Sequence, residues 1–457
     1  MFLPDNSVFV PVTDPNMTLK RTSASVQDPA LRVSNFDEVE LGYTAEEAME
    51  EATRCLHCPA EYCRRGCPAG NPIPQFIARI RAGEFEEAYQ LISHSNCIPG
   101  VSGRVCAQER QCELNCTRGI KGESVSIGRL ERFVADWHRA NTAAEPVKPE
   151  SQGKSAAIVG AGPAGIACAE ELAGKGWNVT LFEARSYVGG VAAYGIPAFV
   201  LPRPVLEESV NRLTDLGVAV RTGITVGKDI TVEQLCGDFD AVFVANGCET
   251  PVKLNVPGED LEGVWTASDY LTAVNLSGEA PSAGNVVVVG GGNTAIDAAR
   301  CARRCGAQSV TILYRRDEDQ MPARRDEIAR AKEEGIRLIT LAAPAAIVGE
   351  GKATSLTCDK MAPGPKDWPG GRPNPVKTGE TFSLEADTVI LALGYTASPI
   401  PGLPVDEKGR ILVARDGVTT PMNKVFAGGD AVTGAATLIG AHAAGRKAAE
   451  AICKANG

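Results

Sequence analysis

A chain of 457 residues with 44% hydrophobic side chains has room for roughly two to four domains, each with its own apolar core. A net charge of −10 and the lack of any long basic tract exclude a nucleic-acid partner. No run approaches the roughly 18 consecutive apolar residues of a membrane span, and Met1 to Asn16 lacks the basic and apolar regions of an export signal, so a cytoplasmic protein without membrane contact is expected.

Residues 1–35 read as an extended arm with no clear period. Thr44-Ala45-Glu46-Glu47 then offers a capping-box start for a helix through Ala52, which delivers the chain to Cys55, Cys58, Cys63 and Cys67-Pro68. Pro74 to Ser93 reads as one amphipathic helix, with Phe76, Ile77, Ile80, Phe85, Ala88 and Ile92 near one face. Cys106, Cys112 and Cys116 follow, and then a helical stretch from Ile127 to His138. An Ala/Pro/Glu/Ser linker from Ala140 to Gly153 marks a domain boundary.

The chain holds 15 cysteines, an odd number without an export signal, which argues for metal ligation in a reducing compartment rather than a disulfide framework. Seven of them form C-x2-C-x4-C-x3-C-P and C-x5-C-x3-C. Thiolates are soft ligands for iron–sulfur clusters or zinc. The first run resembles bacterial ferredoxin motifs, in which the fourth cysteine serves the other cluster, whereas zinc more often takes paired C-x2-C knuckles. Iron–sulfur is the favoured reading and zinc the alternative. Two four-ligand sites need an eighth ligand of another residue type.

After the linker, Ala156-Ala157-Ile158-Val159 runs into Gly160-Ala161-Gly162-Pro163-Ala164-Gly165 and an alanine-rich helix. The glycines permit a tight turn, let backbone N–H groups reach a pyrophosphate and let helix pack on strand. The strand Asn178 to Phe182 ends at Glu183, a carboxylate placed for a ribose hydroxyl. A second unit begins at Asn285-Val286-Val287-Val288-Val289 and turns at Gly290-Gly291-Gly292-Asn293-Thr294-Ala295, where alanine replaces the third glycine. Its following strand, Ser309 to Leu313, ends at Tyr314 and continues into Arg315 and Arg316. Glu183 would repel a 2′-phosphate and suits FAD; Arg315 and Arg316 could clasp a 2′-phosphate or stand as plain surface charge, and NADP(H) is favoured over NAD(H). Met361 to Gly379 reads as an exposed hairpin or loop, Thr388 to Gly394 and Val425 to Ala427 as strands, and Ala435 to Ala449 as a helix.

The cysteine spacing, Ile127-Gly128-Arg129-Leu130-Glu131, both glycine turns, Tyr194-Gly195-Ile196-Pro197, Tyr314-Arg315-Arg316 and Ala427-Gly428-Gly429-Asp430 together resemble the glutamate synthase small (beta) subunit family. That family is related to the N-terminal part of dihydropyrimidine dehydrogenase and the large subunit of NADH-dependent ferredoxin:NADP oxidoreductase. The resemblance implies an α/β fold, with two Rossmann-like nucleotide-binding domains (FAD and NADP) preceded by an α-helical iron–sulfur domain. The expected division is 1–145 for two [4Fe-4S] clusters, 146–282 with 386–457 for FAD, and 283–385 for NADP. It implies Cys55, Cys58, Cys63 and Cys116 on one cluster, and Cys67, Cys106 and Cys112 on the other with Glu131 as fourth ligand; the alternative for Glu131 is a solvated helix residue. Ser102 stands where some relatives carry cysteine and is not a family ligand. FAD is expected on Gly160, Gly162, Pro163, Ala164, Gly165, Glu183, Gly190, Gly429, Asp430, Thr437 and Leu438, and NADP on Gly290, Gly292, Asn293, Thr294, Ala295, Arg315 and Arg316. In the family the residue at Asp430 bonds the ribityl or phosphate region, and Thr437-Leu438 begin a helix approaching the flavin O2 end.

Arg104, Arg110, Arg118, Lys121 and Arg129 crowd the cysteine segment, where they either offset cluster charge or stand solvated. Cys97, Cys168, Cys236, Cys248, Cys301, Cys305, Cys358 and Cys453 read as structural thiols. His57 lies between two ligand cysteines, His94, His138 and His442 have no visible partner, and none is assigned an acid–base role. The expected function is hydride transfer from NADPH to FAD and single-electron transfer through two clusters to a larger redox subunit. That partner is a glutamate synthase large subunit, which makes glutamate from glutamine and 2-oxoglutarate, or another flavoprotein; no catalytic side chain is expected. The rivals are the NADP(H)-binding subunit of a bifurcating transhydrogenase acting on ferredoxin, and a non-catalytic assembly scaffold. A thioredoxin-reductase-like enzyme is disfavoured because Val264 to Gly284 holds no cysteine.

Overall fold

The computed structural model describes residues 15–142, 147–279, 284–366 and 371–457. The first part of the expected arm and the boundaries expected at 145/146 and 282/283 lie outside these residues.

Helix α1 (Ala45–Ala52) starts on a complete capping box: Thr44 accepts from the Glu47 N–H and Glu47 accepts from the Thr44 N–H. The stretch expected as one helix is two, α2 (Ile73–Arg81) and α3 (Phe85–Ser93). The break falls at Gly83, whose φ of +77° ends one helix and redirects the chain, so the shared apolar face folds back on itself. Helices α4 (Pro99–Val105) and α5 (Ile127–Asn141) complete the cysteine-bearing unit. Its core joins Phe76, Ile77, Ile80 and Ile92 to Leu130 and Val134.

Two five-stranded parallel sheets follow. The first contains β1 (Ser155–Val159), β2 (Asn178–Glu183), β3 (Ala219–Thr222), β4 (Ala241–Val244) and β15 (Val425–Ala427), in spatial order β15-β4-β1-β2-β3. Between its last two strands in sequence the chain leaves through β5 (Thr250–Pro251). It builds the second sheet from β6 (Val264–Thr266), β7 (Asn285–Val289), β8 (Ser309–Tyr314), β9 (Arg337–Thr340) and β13 (Thr388–Leu391), in order β9-β8-β7-β13-β6. The return passes through β14 (Tyr395–Thr396), which pairs antiparallel with β5. Val264–Thr266 and Thr388–Leu391 therefore belong to the second sheet, which reaches beyond the 283–385 assigned to it from sequence. The chain crosses between sheets at the β5/β14 ribbon.

Burial on both faces explains the unbroken apolar runs of β1 and β7. Ala156 and Ile158 point into one core and Ala157 and Val159 into another; Val286 and Val288 are divided from Val287 and Val289 in the same way. The Gly/Pro-rich stretch belongs to an antiparallel unit, β10 (Ala342–Val348), β11 (Ser355–Lys366) and β12 (Pro373–Glu385), whose β11–β12 arms form the hairpin among the described residues. Helices α6 (Pro163–Ala173), α7 (Ala267–Ser277), α8 (Asn293–Arg304), α9 (Arg325–Glu333) and α10 (Leu438–Ala455) cover the sheets. Helix α10 begins three residues later than expected and runs on to Ala455, because Thr437 caps it through the Gly440 N–H.

An ion cluster ties the N-terminal segment to the second sheet. Buried Glu334 accepts from Arg32 Nε (2.8 Å), Arg300 (2.8 Å) and Arg304 (2.7 Å), and the guanidinium groups of Arg300 and Arg304 lie over the Phe199 ring. Burial alone would raise the Glu334 carboxyl, but Arg304 and Arg300 outweigh it and hold it down to about 2. Folding lowers this pKa, so the stabilising contribution is complete above its ordinary value of 4.5 and is lost as pH falls toward 2. Glu334→Gln leaves buried guanidinium charge short of its partner and is expected to cost about 3 to 5 kcal/mol, read as a lower urea midpoint at neutral pH.

Candidate functional site

The two glycine turns are built alike. Val159 pairs with Phe182 and Val289 with Leu313; one residue on, the Gly160 N–H donates to the Phe182 carbonyl (2.8 Å) and the Gly290 N–H to that of Leu313 (3.0 Å). Glu183 and Tyr314 thus occupy equivalent places, as the sequence comparison predicts.

In the first turn Gly160 has a φ of +96° and abuts the Ala245 carbonyl, while a Cβ on Gly165 would collide with the Gly160 carbonyl. Gly162 differs: nothing lies within 4 Å of where its Cβ would stand. It begins α6 with no side-chain cap, which leaves first-turn N–H groups for an anion. Pro163 at the first helical position has no N–H to satisfy, Ala164 lies against Gly429, and Gly190 approaches the Gly162 backbone. Glu183 is buried and accepts from the N–H groups of Ala161 (2.8 Å) and Arg185 (2.9 Å); burial raises its carboxyl pKa. Each carboxylate oxygen retains a lone pair for a ribose hydroxyl. Across the sheet, burial pushes the Asp430 carboxyl up to about 6, and the Ala436 N–H donates to it (3.3 Å). Thr437 and Leu438 open α10 beyond it.

In the second turn a Cβ on Gly291 would strike the Tyr314 ring, which lies buried beneath it and donates its O–H to the Gln320 carbonyl (2.9 Å). No carboxylate occupies the place of Glu183. Gly292 starts α8 without a side-chain cap; Asn293 accepts from the Arg324 N–H (2.9 Å), Thr294 is half-buried and Ala295 is buried. Arg315 is exposed, while Arg316 Nε donates to the Pro373 carbonyl (3.1 Å).

The cysteines gather as two groups. Cys55, Cys58, Cys63 and Cys116 line one cavity with Ile73, Pro74 and Ile127. Cys67, Cys106 and Cys112 are electrostatic neighbours of one another and of Glu131. Burial pushes the Cys55 and Cys63 thiols up to about 12 and holds those of Cys106 and Cys112 well above the ordinary thiol range. Grouped thiolates in such surroundings need a cation among them, so both donor sets fit an iron–sulfur cluster. Among the described residues no three His, Cys, Asp or Glu side chains converge on a single point as around one metal ion.

Glu131 is not a solvated helix residue. It is buried on α5, its carboxyl is pushed up to about 7, and it accepts from Ser102, Asn96 (3.0 Å) and Asn71 (3.4 Å). The basic side chains named from sequence are mostly engaged elsewhere. Arg104 pairs with Glu38 and Asp136 (2.7 Å each), Arg129 with Glu40 (2.7 Å), Arg110 donates to the Met321 carbonyl (2.7 Å) and Arg118 to that of Thr18, leaving Lys121 exposed. These contacts brace the unit. Two histidines also have partners. His138 contacts Glu86 (2.8 Å) and stacks on Tyr89, and buried His442 Nε2 accepts from the Cys97 N–H (3.2 Å) with the thiol at 3.3 Å. No local sequence signal pairs residues 97 and 442.

Residues 32–143 match the family model for the 4Fe-4S cluster domain II of dihydropyrimidine dehydrogenase, and residues 154–448 that for pyridine nucleotide-disulphide oxidoreductases. The chain is 37% identical over 445 residues to the glutamate synthase [NADPH] small chain of Halomonas elongata, covering 92% of this chain and 93% of that one. It is 39% identical over 420 residues to the NADP(+)-dependent formate dehydrogenase subunit beta of Moorella thermoacetica, covering 85% of this chain and 59% of that one. Among solved structures it resembles Mycobacterium tuberculosis FprA in complex with NADPH, with a TM-score of 0.58, 21% identity, and coverage of 66% of this chain and 84% of that one.

The crowding at the first turn separates two substitutions. Gly162→Ala is expected to change stability by less than about 0.5 kcal/mol while reducing bound flavin, measured by visible absorbance after purification. Gly165→Ala should lower the thermal midpoint as well, because the turn itself must move.

Proposed function

The chain belongs to the glutamate synthase small-chain family, within the pyridine nucleotide-disulphide oxidoreductases, and from that membership we propose that it is the NADPH-oxidising subunit of a glutamate synthase, feeding electrons through two [4Fe-4S] clusters to a larger redox subunit. Membership makes it an NADPH-dependent FAD and iron–sulfur oxidoreductase. When bound, NADPH and FAD supply hydride chemistry and the iron–sulfur centres supply one-electron transfer.

The protein's part is to bind and orient. The Gly162 turn and the start of α6 receive the flavin pyrophosphate, Glu183 receives the ribose, and Asp430 with Thr437-Leu438 bounds the far end. At the second turn the Gly292 to Ala295 backbone receives the nicotinamide dinucleotide. Arg315 and Arg316 hold the 2′-phosphate, with Arg315 the freer of the two because Arg316 is tied to the hairpin. Cys55, Cys58, Cys63 and Cys116 hold one cluster; Cys67, Cys106, Cys112 and Glu131 hold the other. No side chain is required as nucleophile or base.

The observation that carries this reading is the presence, in one chain, of two separate cysteine groups, one lining a cavity and the other gathered around Glu131, together with two glycine turns that differ at the Glu183/Tyr314 position. A cytoplasmic location follows from the same reading; among the described residues no helix is long and apolar enough to cross a membrane.

Arg315→Ala should raise the KM for NADPH about tenfold or more, the loss of one charge-assisted hydrogen bond, and leave the weaker use of NADH nearly unchanged in steady-state dye reduction. Anaerobic purification from the native host should recover a glutamate synthase large subunit and NADPH-dependent glutamate formation from glutamine and 2-oxoglutarate. Recovery of a second flavoprotein that reduces ferredoxin would instead assign the chain to a bifurcating transhydrogenase. A chain whose flavin NADPH fails to bleach would be a scaffold.

A further inference from the structure

Glu131 is the one proposed ligand that is not a thiol, and the chemistry of its surroundings is one-sided. Ser102 and Asn96 both reach Oε1, the latter at 3.0 Å, whereas among the described residues Oε2 meets Asn71 Nδ2 alone, at 3.4 Å. The orientation of Asn96 is fixed by a further contact: its Oδ1 accepts from the Ile98 N–H (3.1 Å), which turns its amide nitrogen toward Glu131 and Ser102 (2.7 Å). Asn71 Oδ1 meets the Ser95 hydroxyl (2.9 Å), which also reaches the Ile92 carbonyl (3.2 Å), while its nitrogen faces Oε2. The Ser102 hydroxyl accepts from Asn96 and, facing a carboxylate, gives its proton to Glu131; the Ile98 carbonyl, at 3.1 Å, is the more distant acceptor. All three side chains therefore give hydrogens to Glu131, and at Oε1 the Asn96 amide nitrogen, held inward by a backbone N–H, has no lone pair to offer in exchange.

We propose that Asn96, with Ser102 and Asn71, forms a hydrogen-donating cradle that anchors Glu131 through Oε1, leaves Oε2 as the oxygen for iron, and makes the position specific for a carboxylate over a carboxamide. This rests on the reading of Glu131 as the fourth ligand of the second cluster. A glutamine has a single oxygen: turned to Asn96 it leaves an N–H2 facing the iron, and turned to the iron it sets that N–H2 against the Asn96 amide hydrogens, the costly arrangement for a buried polar group. The cradle residues are positioning residues, acting on iron only through Glu131. Their hydrogen bonds also draw electron density from the carboxylate, so removing one leaves more negative charge beside the cluster and disfavours its reduction.

The test uses the full chain, reconstituted anaerobically, with iron and sulfide content, the EPR spectrum of the reduced protein, and potentiometry as readouts. Glu131→Ala should lose about half the iron, the share of one of two clusters; full retention would overturn the ligand reading and the cradle with it. Glu131→Gln should also lose that cluster, and Asn96→Asp placed in the same chain should restore it, because aspartate supplies the missing acceptor. Ser102→Ala should keep its iron but alter one of the two EPR signals and lower that cluster's midpoint potential. If Glu131→Ala loses iron while Glu131→Gln retains it with an unchanged spectrum and potential, the ligand stands and the cradle's selectivity for a carboxylate is wrong.

Discussion

The segment from Asn96 to Cys106 joins the two halves of the molecule. Cys97, Ile98 and Val101 are buried in the same apolar core as Ile158 and Leu181 of the first sheet and Leu172 of α6, although they precede that sheet by some fifty residues and the linker. Asn96 bonds Glu131, Cys97 bonds His442 on α10, and Cys106 closes the segment as a proposed ligand. Burying this apolar stretch, at about 25 cal/mol per Å² of surface removed from water, fixes the cysteine group that includes Cys106 against α10. A subunit that moves electrons between a flavin and iron needs such rigid juxtaposition, and here hydrophobic packing supplies it.

The arginines serve the same end. Arg104, Arg129, Arg32, Arg300 and Arg304 form buried or half-buried pairs that connect the N-terminal segment, α5, α8 and α9. Such pairs contribute little net stability compared with apolar packing, but each penalises any arrangement that separates its partners. Their value lies in fixing how the cysteine unit sits on the two sheets.

Local chemistry was the legible part of the sequence. The capping box at Thr44, the two glycine turns and the equivalence of Glu183 with Tyr314 follow from short patterns, because a strand, a turn and a helix start are decided within a few residues. The break at Gly83 was missed because the apolar face continues in phase across it. Sheet membership of Val264–Thr266 and Thr388–Leu391 was missed because parallel pairing joins residues over a hundred apart. At the candidate site, the cysteine spacing and the family resemblance announced which cysteines gather but not the polar shell around Glu131. Asn71, Asn96 and Ser102 lie on separate segments, and no spacing rule connects them.

The central claim is that one chain carries electrons from a phosphorylated nicotinamide to iron. A stepwise anaerobic titration of the reconstituted protein with NADPH, followed on one sample by visible absorbance and EPR, tests it most directly. The account predicts that the flavin bleaches and that a reduced iron–sulfur signal grows as reductant is added. A flavin that bleaches fully in a sample containing zinc and no acid-labile sulfide would contradict it.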